Sequence, residues 1–308
     1  MNYRSLFLAT SRAIILYVSG LLLPVLGQFL VLFTPVPLIL AYVRDGRTTG
    51  LIAIAVASSL IALMGWYAAA LFLLSFGLMT IGISEGMLRK MKPELIALLG
   101  GLLPILVLTP ILLSYIAQMG ENPILVAERY LRESVADASK RYAGAGLTEM
   151  ATATASIPEA VYYYLVRLLP GIFIATMVSQ AAFCYGIARA FIIRKQGMNP
   201  SEKSFSLWHA PDSWVFGLIA SLGLLILPDE STNLIGWNLA ILFGALYLAQ
   251  GIALADFFMR KLRMHGFVRA LMLTIILFLP PLIAALVAVG VVDIWADLRK
   301  VRAQTEAT

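Results

Sequence analysis

Few residues in this chain are equipped for chemistry. The pair that stands out is His209 and Asp212 in "SLWHAPDSW", Ser206 to Trp214. A histidine three residues before an aspartate is raw material for general acid–base catalysis, which also needs a nucleophile or a substrate cleft within reach. The flanking Trp208 and Trp214 suggest another role. Indole rings settle at the headgroup level of a bilayer, and a proline such as Pro211 opens a helix whose first turn favours an acid such as Asp212. Anchor and helix cap is the preferred reading of Trp208, His209, Asp212 and Trp214.

Two further acids, Glu85 and Asp256, lie within apolar runs, where an ionisable group is a functional candidate by default. Each has an arginine four residues later, Arg89 and Arg260. Acid at i and base at i+4 is the favourable helical pairing. Interfacial ion pairs are therefore expected, with a proton relay as the alternative. Nearer mid-span stand Gln28, Gln180, Tyr247 and Gln250. These either hydrogen-bond between helices or line a pocket for a small neutral or zwitterionic solute. With two histidines and one cysteine, Cys184, no metal site and no disulfide are expected. No P-loop, HExxH or EF-hand spacing occurs, no cofactor is implied, and a non-enzyme is expected.

The composition says what must position these groups. The chain is 60% hydrophobic and 13% charged, against about 45–50% and 25% in soluble domains. This is an all-α, multi-pass membrane protein whose first partner is the lipid bilayer. The net charge of +6 belongs to basic turns that orient the chain, and no nucleic-acid partner is expected.

About eight spans (seven to nine) are expected from runs near the 20-residue bilayer length. The first, 13–33, reads as an uncleaved helix kinked at Pro24 and Gly27. "TPVP", Thr34 to Pro37, reads as a breaker, and 38–43 as too short to cross. The basic turns 89–92, 194–203 and 260–269 belong inside, and the turn 228–233, without Lys or Arg, outside. Residues 119–160 then fall outside. There Ile124, Ala127, Leu131, Val135, Ala138 and Tyr142 form one apolar stripe at helical spacing, so an extracytoplasmic amphipathic helical insertion separates transmembrane regions 1–118 and 161–308. Both ends strain the charge rule: 13–43 must enter and return as a hairpin or the N-terminus lies outside, and the last helix is re-entrant at Pro280-Pro281 or leaves a basic tail outside.

Three stretches, "TPVPLILAYVRDGRTTG", "SLWHAPDSWVFGLIASLGLLIL" and "GVVDIWADLRK", resemble in order and spacing the YybS-like family of bacterial integral membrane proteins, whose function is uncharacterised. That family has been grouped with the substrate-binding S-components of energy-coupling-factor vitamin transporters. Pro35, Pro37, Gly46 and Gly50 are similar to the S-component pattern, although this chain is longer and carries the insertion. The resemblance implies a protein of the bacterial cytoplasmic (inner) membrane that binds a small-molecule solute, with membrane partner subunits. The alternative is a non-catalytic scaffold or envelope assembly factor acting through 119–160.

Overall fold

The computed structural model describes residues 3–23, 26–196 and 205–299. The expected kink at Pro24 and most of the 194–203 connector lie outside them. The described residues form helices with no strand. Among the described residues six helices are long and apolar enough to cross a membrane, and a seventh span is added if one bent pair counts as one.

The N-terminal part begins with α1 (Tyr3–Leu22), α2 (Leu26–Val31) and α3 (Pro35–Asp45). The helix does break ahead of Pro35, between Val31 and Pro35, but 38–43, expected to be too short to cross, belongs to a span. Leu26–Asp45 is one broken span, because Pro35 stands at the first position of α3, where a missing N–H leaves nothing unsatisfied. The Ser5 hydroxyl donates to the Asp45 carboxylate, so α1 and α2–α3 form the hairpin that returns the chain to its starting end. The two helices that follow are α4 (Arg47–Ala62) and α5 (Trp66–Leu71), the latter continuing through a π-helical turn, Phe72–Gly77, into α6 (Leu78–Leu88). At 16 residues α4 is short for a span. Next, α7 (Pro93–Gln118) packs on α6 so closely that a Cβ on Gly82 would lie 2.8 Å from the Leu99 carbonyl oxygen.

The insertion is a helical hairpin, α8 (Pro123–Gly144) and α9 (Thr148–Ala155). Asn122 caps α8 by accepting from the Ile124 N–H at 2.9 Å. Gly146, at φ +77°, supplies the left-handed turn, and the Leu147 N–H closes onto the Tyr142 carbonyl at 2.9 Å. Four positions of the expected stripe, Ala127, Leu131, Val135 and Ala138, are half-buried, while Ile124 and Tyr142 are exposed. Arg132, paired within α8 to Glu128 at 2.6 Å, ties the hairpin to the next helix through Glu159 and the face of the Tyr162 ring.

Two long helices, α10 (Glu159–Gln196) and α12 (Glu230–Lys261), form the C-terminal frame. They run parallel, with Tyr163 meeting Glu230 and Gly171 meeting Asn238. Between them in sequence lie short helical turns, Phe205–Leu207 and Asp212–Trp214, and α11 (Val215–Leu224). The last helices among the described residues are α13 (Gly266–Phe278) and α14 (Pro280–Ala296), bent by 106° at their junction. This bend lies at the expected Pro280-Pro281 step. α14 is antiparallel to α12, because Cβ atoms on Gly251 and Gly290 would sit 2.1 Å from the Leu286 oxygen and 2.2 Å from the Tyr247 oxygen. Only glycine permits that approach.

The turn after α6 therefore shares one end of the bundle with Tyr3 and Arg47, and the insertion shares the other with Glu230. In a Cys184→Ser background, Glu121→Cys should react with a membrane-impermeant maleimide on intact cells, and Lys92→Cys only after permeabilisation. The reverse pattern would invert the map.

Candidate functional site: a buried charge pair among broken helices

In a bilayer each freed backbone group needs a partner within the protein. The amides picked out by sequence stand where that need arises. In the sequence Pro24 stands four residues after Gly20, and a proline has no N–H to offer a carbonyl. Gln28 Nε2 donates to the Gly20 carbonyl at 3.0 Å. At the α2–α3 break the Val36 N–H turns to Phe33, and the Leu32 carbonyl accepts instead from Cys184 Sγ at 3.2 Å and Gln180 Nε2 at 3.4 Å, both on α10.

Asn238 repairs α10 itself. Its Oδ1 accepts from the Gly171 N–H at 2.7 Å and its Nδ2 donates to the Arg167 carbonyl at 3.0 Å. The side chain thus replaces the helical bond between these two residues, just after Pro170, and a Cβ at Gly171 would collide with it. Sequence reading passed over Asn238. Its signal was an amide in an apolar helix opposite a Pro-Gly pair, visible only once the helices are registered.

The largest such repair sits at α12. Gln250 Oε1 accepts from the Ala210 N–H at 3.0 Å, and its Nε2 donates to Asp293 Oδ2 at 3.2 Å. Asp293 also accepts from the Leu298 N–H at 3.0 Å. Arg299 Nη2 meets Asp293 Oδ2 at 2.6 Å, while Nη1 donates to the carbonyls of Ser206 at 3.0 Å and Trp208 at 2.7 Å. Gln250, Asp293 and Arg299 are 1%, 6% and 5% exposed. Six residues separate Gln250 from Asp256 along α12, which puts this cluster about 9 Å further into the bundle. Asp293 and Arg299 went unnoticed in the sequence, because "GVVDIWADLRK" looks like the end of a helix running out into water. The left-handed turn at Asp297, φ +38°, folds it back.

A cavity of about 10 Å³ lies beside this cluster, lined by His209, Asp212, Gln250, Asp293, Asp297 and Arg299 among others. It has room for about one water. The histidine and aspartate of "SLWHAPDSW" thus meet other titratable groups after all. His209 and Asp212 are exposed and Trp208 and Trp214 half-buried, with Pro211 at the N-cap of the turn that Asp212 opens. Two groups lack a hydrogen-bond partner nearby: Arg299 Nε and the Tyr247 hydroxyl, both buried. Gln28 and Gln180 lie at the other breaks, so the four residues considered for a solute pocket do not line one cavity. Among the described residues no cluster of His, Cys, Asp or Glu could hold a metal ion.

Near the basic end, both acids carry two arginines. Glu85 meets Arg89 at 3.4 Å and Arg47, from α4, at 2.7 Å, and accepts from the Tyr42 hydroxyl at 2.9 Å. Asp256 meets Arg260 and, from α13, Arg269, each at 2.7 Å. The strings "EGMLRKMK" (85–92) and "DFFMRKLR" (256–263) share this layout: an acid, an arginine four residues on, and a turn in which Lys90 or Arg263 adopts positive φ. One further string, Gly82-Ile-Ser-Glu-Gly86, fits the spacing of a serine-hydrolase elbow. Its context differs, since an elbow exposes its serine at a strand-to-helix turn. Ser84 lies inside α6, fully buried, its hydroxyl unpartnered.

The chain belongs to the family described as "Predicted membrane protein (DUF2232)", which matches residues 12–294. No curated protein and no solved structure matches it.

Removing one partner from a buried pair leaves an uncompensated charge, at about 3 kcal/mol or more. Asp293→Asn and Arg299→Gln should each lower stability by about that much, and the double variant by less than their sum. Denaturant unfolding in detergent micelles measures this. Single variants within about 1 kcal/mol of the parent would show that the pair does not hold the segment.

Proposed function

We propose that this protein is a small-solute-binding or transport component of the bacterial cytoplasmic membrane, with its binding region where α12, α14 and residues 205–214 meet. The observation that carries this reading is the buried Asp293–Arg299 pair on irregular backbone. Ionisable residues inside a membrane protein mark solute or ion pathways, and transporters place such sites at interrupted helices, where backbone groups face a cavity. With room for about one water, the site corresponds to a closed state. Opening requires Arg299 to leave the carbonyls of Ser206 and Trp208, which then become available to a ligand. The likeness of "TPVPLILAYVRDG" to S-components points the same way, towards partner subunits that drive the opening.

The test is ligand-induced thermal shift on purified protein with vitamins, amino acids and nucleosides. One solute class should raise Tm by several degrees, and His209→Ala, at the exposed rim of the cavity, should weaken that effect. No shift with any class would overturn the reading.

One observation favours a scaffold instead. The α8–α9 hairpin exposes Leu125, Tyr130, Leu147 and Met150, a surface suited to a protein partner outside the bundle. On that reading, deleting 124–142 abolishes the cellular phenotype while insertion and solute-induced shifts persist. A deletion strain that behaves as the parent would rule it out.

A further inference from the structure

The bend between α13 and α14 opens a second space, lined by apolar side chains. Gly251, Leu254 and Phe258 of α12, Ile276 of α13, and Leu282 and Leu286 of α14 are among the residues lining a groove of about 280 Å³. The groove exists because Gly251 draws α14 onto α12 while α13 leaves at 106°. Phe258 brings its foot to the last turn of α12. There the chain places Arg260, Lys261, Arg263 and Arg269 against one acid, Asp256. Asp256 is already engaged by Arg260 and Arg269. Lys261 and Arg263 are exposed, and neither forms an ion pair among the described residues. Arg263 is held out by a left-handed backbone, φ +56°, braced by the Met264 N–H on the Met259 carbonyl at 3.1 Å.

We infer that this groove is a binding site for an anionic phospholipid of the leaflet that the basic turns face. One acyl chain lies along the apolar groove, and the phosphate is held by Lys261 and Arg263. The charge decides the occupant. An uncharged or zwitterionic lipid fills the groove equally well but leaves two cations without a counter-charge, whereas a basic pocket between helices at this level selects anionic headgroups. An extended peptide would leave its own backbone groups unsatisfied against so apolar a lining. The inference does not depend on solute binding at the Asp293–Arg299 cluster.

The test uses the full-length protein in detergent micelles, titrated with phosphatidylglycerol or phosphatidylcholine and read by native mass spectrometry and thermal unfolding. Phosphatidylglycerol should be retained about thirtyfold more tightly, since each of the two basic residues near the surface contributes about fivefold. Lys261→Gln/Arg263→Gln, two exposed changes, should abolish the preference while leaving Tm without lipid unchanged. Ala285→Phe, which fills the groove, should reduce retention of both lipids. Equal retention by the parent protein, or an undiminished preference in the double glutamine variant, overturns the proposal. If Ala285→Phe does not fold, the other two measurements still decide it.

Discussion

Everything distinctive in this fold follows from one constraint: backbone N–H and C=O groups cannot be left open inside a bilayer. A bundle of unbroken helices meets it at no cost. This chain instead breaks or bends its helices at Leu23, Phe33, Pro170, residues 205–214 and Leu279. At four of these sites a side chain takes over the lost bond. Gln28, Gln180 with Cys184, Asn238 and Gln250 with Arg299 each answer a particular backbone group. The two long helices, α10 and α12, supply most of these partners, which is why they form the frame.

The two kinds of charge in the molecule do different work. Glu85 and Asp256 sit near the basic end, each between an arginine of its own helix and one from another helix, and so pin α4 to α6 and α13 to α12. Arg47, Arg89 and Arg260 remain in contact with solvent, at 58%, 69% and 51%, and exposed pairs contribute little stability, whereas Arg269 on Asp256 is mostly buried. Their value lies in fixing which helices meet. Asp293 and Arg299, at 4% and 1% side-chain exposure, are buried. A buried pair is costly unless every lone pair and proton is used. Asp293 and the two Nη groups of Arg299 are engaged, which leaves Nε as the open end of the network.

Close glycine contacts join these features. Gly251 and Gly290 let α14 lie against α12, and this brings Asp293 level with Gln250. The same approach, with α13 diverging, leaves the apolar groove between these helices. One backbone contact thus shapes both the polar cluster and the apolar cleft.

The sequence by itself determined the class, the helical insertion, the basic turns and the i+4 pairs at Glu85 and Asp256. These rest on composition and on contacts within one helix, where spacing alone sets geometry. Asn238, Asp293 and Arg299 were not legible, because what makes each important lies on another helix: the gap after Pro170, the amide of Gln250, and the carbonyls of Ser206 and Trp208. Nor was the continuity of Leu26–Asp45 across "TPVP", since two prolines spell a break in sequence and a helix start in space. The second arginines, Arg47 on Glu85 and Arg269 on Asp256, came likewise from neighbouring helices. Local patterning follows from the chain's own periodicity, and only the tertiary structure decided which open backbone group each polar side chain would meet.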